Sequence, residues 1–327
     1  MSLRIVFVCA AGPSVGGGHV MRSLTLARAL ESRGAVCAFL STPEVAAVLG
    51  AFGRGMARTH TTDPFDAVVF DSYALSADAH RAIAKGRPTL VIDDLADRPL
   101  AADLVLDAGP ARRPEDYAGL VPAHARLLLG PNHAPVRPAF VALREAALTR
   151  RAERGPVRRI LVSLGMTDVG GITGRVVGLL TPILGEAALD LVVGASAPSL
   201  PTLRALAAED PRLALHVNAQ DMPRLVLEAD LAIGAGGSTT WERCVLALPA
   251  LTLILADNQI AAARALEAAG VTPCLDVTAA DFEAAFVALA QSLIVDADRR
   301  AALSAASATV CDGRGAERVA EAVLGLM

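Results

Sequence analysis

Apolar residues in this chain gather in short unbroken runs instead of alternating with polar ones. In the first half the runs fall at 3–9, 36–41, 67–71, 88–93, 103–107 and 126–130. Between them, 19–33, 43–50 and 76–85 carry apolar residues at helical spacing. Short apolar strands separated by helices predict a parallel sheet covered on both faces. A charged helix over "VALREAALTRRAERGPVRR" stops at Gly155-Pro156, a pairing that ends helices. The pattern then restarts, with strands at 158–164, 189–193, 212–216, 230–234 and 250–254. Helices fill 172–182, 199–208, 221–228, 239–247, 258–269 and 279–293, and two more close the chain. The pattern predicts two α/β domains, 1–155 and 156–327, with the C-terminal helices capping one domain or bridging both.

Composition narrows the function classes. At 327 residues, two domains are the expected number. Hydrophobic residues make up 53% and charged residues 20%, enough apolar surface for a sizeable core. Aromatics are 3%, which leaves few platforms for stacking bases. The net charge is −4, and the basic stretches "ARRPED" and "LTRRAERGPVRR" are short. Nucleic acid is therefore not an expected partner, and these stretches read as a charged linker or helix end. Cys9, Cys37, Cys244, Cys274 and Cys311 form no C-x-x-C pair, so buried free thiols in a reducing cytoplasm are expected. No apolar run reaches the roughly 18 residues that span a bilayer, so no membrane insertion is expected.

In open α/β sheets, ligands bind beyond the carboxyl ends of the strands, and two sheets facing one another leave a cleft for small molecules. The loops after the strands therefore carry the candidate chemistry. After strand one, Gly16, Gly17 and Gly18 lead into a helix bearing His19 and Arg22. Glycines let backbone amides approach an anion at a helix start. The spacing is not that of a dinucleotide site: His19 follows the triplet at once, and strand two ends in "FLST" without an acidic residue. His19 is either a structural histidine or a proton acceptor in the cleft, and its place in the first turn favours the second.

"VVFDSYALS" puts Asp71, Ser72 and Tyr73 after strand three. Capping of the next helix by Asp71 or Ser76 is the commoner use of such residues, while Tyr73 is a candidate substrate contact. "LVIDDLADR" ends a strand on Asp93 and Asp94. The pair can cap helices, bind Arg98, serve as acid and base, or hold a divalent metal. No further carboxylate cluster supports the metal, and none is expected.

In the second half, "SLGMTDVGG" places Gly165, Thr167 and Asp168 before a helix, as an ordinary capped loop or a second backbone cradle. "AIGAGGSTTWERC" is the stronger signal. Gly234, Gly236 and Gly237 end a strand, and Ser238 and Thr239 open a helix with Glu242 in its first turn. Such a unit suits a diphosphate. Glu242 is placed to accept from ribose hydroxyls, or alternatively to close a capping box with Ser238 or Thr239. Asn258 and Gln259, after the next strand, can donate to phosphate or sugar.

The order "GGGHVMRSLTLA", "DSY", "IDD", "LLLGPNHAPVRPAF", "SLGMTD", "GAGGSTTWE" and "DNQ" resembles the nucleotide-sugar hydrolases of pseudaminic acid biosynthesis. These are the PseG-type UDP-2,4-diacetamido-2,4,6-trideoxy-β-L-altropyranose hydrolases, related to SpsG-like spore-coat polysaccharide proteins. More distantly the chain is similar to MurG, an inverting glycosyltransferase. The resemblance implies a GT-B fold, two Rossmann-like domains whose parallel sheets face across a cleft, with UDP held mainly by the second. It implies hydrolysis of a UDP-sugar with inversion at the anomeric carbon, needing no cofactor. His19 is the expected general base, with Asp94 or Asp71 to orient it. Tyr73 and Arg137 are expected on the sugar. Two departures stand out: Met166 replaces a frequent glycine, and Trp241 replaces an asparagine seen in some members. A UDP-dependent glycosyltransferase of the MurG type is the alternative.

Overall fold

The computed structural model describes residues 2–12 and 15–327. Its contacts divide the chain into two units, Met1–Arg137 with Gly313–Met327, and Pro138–Asp312. The division lies after Arg137, not at 155, and assigns the charged helix to the second unit.

The first unit runs β1 (Arg4–Cys9), α1 (Gly18–Glu31), β2 (Val36–Leu40), α2 (Pro43–Phe52), β3 (Ala57–Thr59), β4 (Ala67–Asp71), α3 (Ala77–Ala84), β5 (Thr89–Ile92), β6 (Leu104–Asp107) and β7 (Arg126–Leu129). The strands form one parallel sheet in the order β3-β2-β1-β4-β5-β6-β7. Both faces are buried, which explains the unbroken apolar runs. Ile5 and Phe7 of β1 join one core with Val20 and Leu24 of α1. Val6 and Val8 join the opposite core with Val68 and Phe70 of β4.

The second unit runs α4 (Pro138–Ala152), β8 (Arg159–Ser163), α5 (Ile172–Leu180), β9 (Ala188–Val193), α6 (Leu200–Glu209), β10 (Leu213–Val217), α7 (Met222–Glu228), β11 (Leu231–Ala235), α8 (Thr239–Val245), β12 (Ala250–Ile254), α9 (Ile260–Ala268), β13 (Cys274–Asp276), α10 (Phe282–Val295) and α11 (Ala297–Ala308). Its parallel sheet has the order β10-β9-β8-β11-β12-β13. The final helix, α12 (Gly315–Leu324), belongs to the first unit, where Val319 and Val323 enter the same core as Leu24. Gly315 passes so close to the Ala134 carbonyl that a side chain there has no room.

Each sheet reverses its direction of growth once, between β1 and β4 in the first unit and between β8 and β11 in the second. Such switch points open a crevice at the carboxyl ends of the two strands. Asp71 ends a strand of the first switch point and His19 and Tyr73 follow its strands, while Gly165, Thr167 and Gly237–Thr239 follow those of the second.

Candidate functional site

In the first unit, α1 follows β1 in the chain. Between them Gly12 and Gly16 pair, with Gly16 N–H donating to the Gly12 carbonyl at 2.7 Å. Gly16 takes a positive φ of 78°, a conformation open to glycine at little cost. Gly17 is the N-cap of α1 and supplies no side-chain cap. Gly18 and His19 form the first turn, and His19 is 7% exposed.

The turn meets the last residue of β4. His19 Nδ1 lies 2.5 Å from Asp71 Oδ1. One turn further along α1, Arg22 grips the same carboxylate with two donors, Nη2 to Oδ1 at 2.7 Å and Nε to Oδ2 at 2.8 Å. Ser23 Oγ donates to Oδ2 at 3.0 Å. Asp71 is wholly buried. Burial alone would raise its pKa, but the Arg22 guanidinium and the His19 imidazole outweigh it and hold the carboxyl well below the usual range. An ionised carboxylate only accepts, so in the neutral ring Nδ1 carries the proton and Nε2 keeps its lone pair. Nothing among the described residues hydrogen-bonds Nε2.

Arg22 also reaches Asp94, Nη1 donating to Oδ2 at 2.5 Å. Tyr73 OH donates to the same oxygen at 2.5 Å, and its ring stands edge-on to the His19 ring with centroids 4.7 Å apart. Burial and the Asp94 charge both raise the Tyr73 pKa, so it is a phenol at neutral pH. Loops from β1, β4 and β5 thus bring together His19, Arg22, Ser23, Asp71, Tyr73 and Asp94 at the switch point. Asp93 is not part of this group. It is fully buried, pairs with Arg98 at 2.7 Å and accepts from Ala96 N and Tyr117 OH. Among the described residues no three His, Cys, Asp or Glu side chains are grouped to hold a metal. Arg137, half-buried, is the last residue of the first unit's long segment.

In the second unit, Gly165, Thr167, Gly237, Ser238, Thr239, Glu242, Asn258 and Gln259 follow the adjacent strands β8, β11 and β12. Gly165 has φ 101°. Asp168 is a correction: it is fully buried, and its oxygens accept from Thr173 N at 2.8 Å and Ser199 N at 3.0 Å. Its carboxylate ties α5 to the start of α6 and has no room for a ligand. Ser238, at the start of α8, makes no side-chain capping bond. Gln259 folds back to accept from Leu255 N at 3.0 Å, against Gly236. Asn258 is exposed. Trp241 is 9% exposed, in the interior and not on the loop surface.

Beneath this loop lies Arg243, which is 4% exposed. Its Nη2 donates to the Ala235 carbonyl at 3.0 Å and Thr240 Oγ1 at 3.1 Å, and Nη1 to Thr239 Oγ1 at 3.2 Å. Sequence reasoning passed over Arg243 and Ser23, and left Asp71 as a capping alternative. In the structure Ser76 takes that role, accepting from Ala79 N, which frees Asp71 for the cluster. The signal available was Ser76, standing one residue before α3 where an N-cap belongs.

No family model matches the chain. It is similar to the spore coat polysaccharide biosynthesis protein SpsG of Bacillus subtilis, 28% identical over 44% of this chain and 42% of that one. It is similar to the UDP-N-acetylglucosamine–N-acetylmuramyl-(pentapeptide) pyrophosphoryl-undecaprenol N-acetylglucosamine transferase of Salinibacter ruber, 31% identical over 52% of this chain and 46% of that one. The UDP-2,4-diacetamido-2,4,6-trideoxy-β-L-altropyranose hydrolase of Campylobacter jejuni is 21% identical over 79% of this chain and 93% of that one. The matches span less than half the length of the first two relatives. Among solved structures, Acinetobacter baumannii MurG superposes with a TM-score of 0.66 at 18% identity, covering 99% of both chains. Staphylococcus aureus MnaA with UDP gives 0.69 at 12% identity, over 100% and 98%. The fold is GT-B. Among the described residues no helix is long and apolar enough to cross a membrane.

Proposed function

We propose that this PseG- and SpsG-like chain of the GT-B fold hydrolyses a UDP-linked amino sugar. The observation that carries the reading is the 2.5 Å contact between His19 Nδ1 and Asp71, which leaves Nε2 as the basic atom at a switch point. The hydrolase named among its relatives supports the reaction class. UDP is held by the Gly236–Ser238 loop and the Gly165 loop of the second unit, with Glu242 accepting from ribose hydroxyls. Gly16–Gly18, Arg22, Tyr73, Asp94 and Arg137 serve the sugar side.

His19 Nε2 removes a proton from a water molecule. The water oxygen forms a bond to the anomeric carbon, the bond from that carbon to the diphosphate oxygen breaks, and UDP leaves with its electron pair. Attack from the opposite face inverts the configuration. Such proton removal contributes about 10²–10⁴-fold, and fixed amide donors stabilise the charge that develops on the diphosphate.

The test is to incubate the protein with a panel of UDP-sugars and follow products by NMR. Free sugar of inverted configuration plus UDP, formed without any acceptor and in the presence of EDTA, is the expected result. The Salinibacter relative favours the alternative, transfer to a hydroxyl acceptor. UDP release that strictly requires such an acceptor would establish it, and an epimerised UDP-sugar would refute both.

A further inference from the structure

The basic stretch around 150–158 belongs to neither group of loops. It borders a cavity of about 230 Å³ in the second unit. Five arginines line it, Arg150, Arg151, Arg154, Arg158 and Arg300, together with the acidic residues Glu153 and Asp230.

Arg150 pairs with Asp230 at 2.7 Å, and Arg154 pairs with Asp298 at 2.7 Å on the exposed surface. The other three have no side-chain carboxylate partner among the described residues. Arg151 donates to the carbonyls of Ala229, Val226 and Leu227 at 2.6, 2.8 and 3.2 Å. Its Nε is buried with no partner among the described residues. Arg300 donates to the carbonyls of Leu293, Ile294 and Gly155. Arg158 is exposed at the rim. Burial, and then the neighbouring Arg150, push the Arg151 pKa down to about 10, with Asp230 opposing, and burial lowers Arg300, with Asp230 and Asp296 opposing. Carbonyls satisfy donors but do not neutralise charge, and gathered positive charge of this kind is relieved by an anion.

The cavity has a definite place in the fold. Arg158, Asp230 and Pro249 line it, and each directly precedes a strand, β8, β11 and β12 respectively. It therefore lies at the amino edge of the sheet. The glycine loops leave the carboxyl edge, about 16 Å away for a five-residue strand at roughly 3.3 Å per residue.

We propose that this cavity is a second anion site, taking the diphosphate group of a small molecule, separate from the nucleotide loops. The Arg158 guanidinium, with no side-chain hydrogen bond among the described residues, is the fork that can match phosphate oxygens pairwise, while Arg151 and Arg300 add charge with their donors already given to carbonyls. The volume suits a diphosphate with little attached to it, and it is smaller than the pockets that hold whole drug-sized ligands. The site goes beyond the hydrolase reading and does not depend on it.

Calorimetry at about 0.15 M salt, where long-range surface attraction is screened, tests it. Inorganic pyrophosphate is titrated into the full chain already saturated with UDP. One further binding event is expected. Arg158→Glu should weaken it at least tenfold while UDP binds the variant as it binds the wild type. Arg158 is exposed, so the substitution leaves the packing in place. No binding to the wild type, or equal binding to the variant, overturns the proposal. Loss of pyrophosphate binding on adding UDP, with Arg158→Glu without effect, also overturns it by placing the anion on the nucleotide loops. Should UDP not bind the wild type, the hydrolase reading fails, yet the comparison of wild type with Arg158→Glu still reports on the cavity.

Discussion

His19 Nδ1 and Asp71 Oδ1 lie 2.5 Å apart, joining the first turn of α1 to the last residue of β4. The bond spans the switch point of the sheet, so the fold itself sets the ring's orientation. Asp71→Asn tests what the bond does. An amide in this place can present a donor, which favours the ring tautomer with the proton on Nε2 and removes the base. The expected result is a fall in kcat of about 10²–10⁴-fold, with KM changed little. The buried Arg22 also loses a charged partner, so unfolding by urea should show a cost of about 1–3 kcal/mol. A variant that keeps its wild-type kcat would remove Asp71 from the mechanism.

Tyr73 makes a different bond, donating to Asp94 at 2.5 Å. Asp94 retains Arg22, and its side chain is 26% exposed. Tyr73→Phe should therefore cost no more than about 1 kcal/mol of stability. On the sugar side, the lost hydroxyl should raise KM by about tenfold while kcat stays within a few-fold, the pattern of binding equal in ground and transition states. Steady-state kinetics separates the two. A fall in kcat with KM unchanged would place the phenol in the chemical step instead.

The sheets were legible because their strands are buried on both faces and so read as apolar runs. Ile5 to Val8 alternate between two cores, and none of them faces water. The two strands missed, β3 and β13, are three residues long and lie on sheet edges, where a run is too short to register. The sequence placed His19 at the start of the helix after the first strand and Gly236–Ser238 straight after a later strand, and the structure has them there, in α1 and after β11. The partnership of His19 with Asp71 was not legible. The two residues are 52 positions apart in the chain, and only the pairing of β1 with β4 brings the start of α1 beside the end of β4.

Gly234, on β11, tests the buried support of the second loop. A Cβ at this position would come 2.6 Å from Arg243 Cζ. Arg243 holds the Ala235 carbonyl and two threonine hydroxyls, so it cannot move without leaving buried donors unmet. Gly234→Ala should destabilise by about 1–3 kcal/mol through overpacking and weaken UDP binding together with it. Urea unfolding followed by UDP calorimetry checks both. Wild-type stability in this variant would show that the guanidinium is free to shift.

His80 sets a pH window for stability. It is fully buried on α3 against Phe70, with ring centroids 4.6 Å apart, and neither ring nitrogen has a partner among the described residues. Burial, then the Arg98 charge, push its pKa down to about 4; Asp93 opposes and Arg81 adds to the shift. The unfolded chain, with its histidine near pH 6.5, takes up the proton first. The stabilising effect of a neutral His80 is thus complete above about pH 6.5 and is lost as pH falls toward 4. Between pH 7 and 5 the loss should be about 2 kcal/mol, from roughly 1.4 kcal/mol per pKa unit. The Asp71 carboxylate cannot produce this slope, because its pKa is lowered and its contribution stays whole until the pH falls into the ordinary carboxylate range, below the window tested. Urea unfolding at the two pH values should show the drop in the wild type and a flatter response in His80→Leu. Equal slopes in both proteins would assign the acid sensitivity elsewhere.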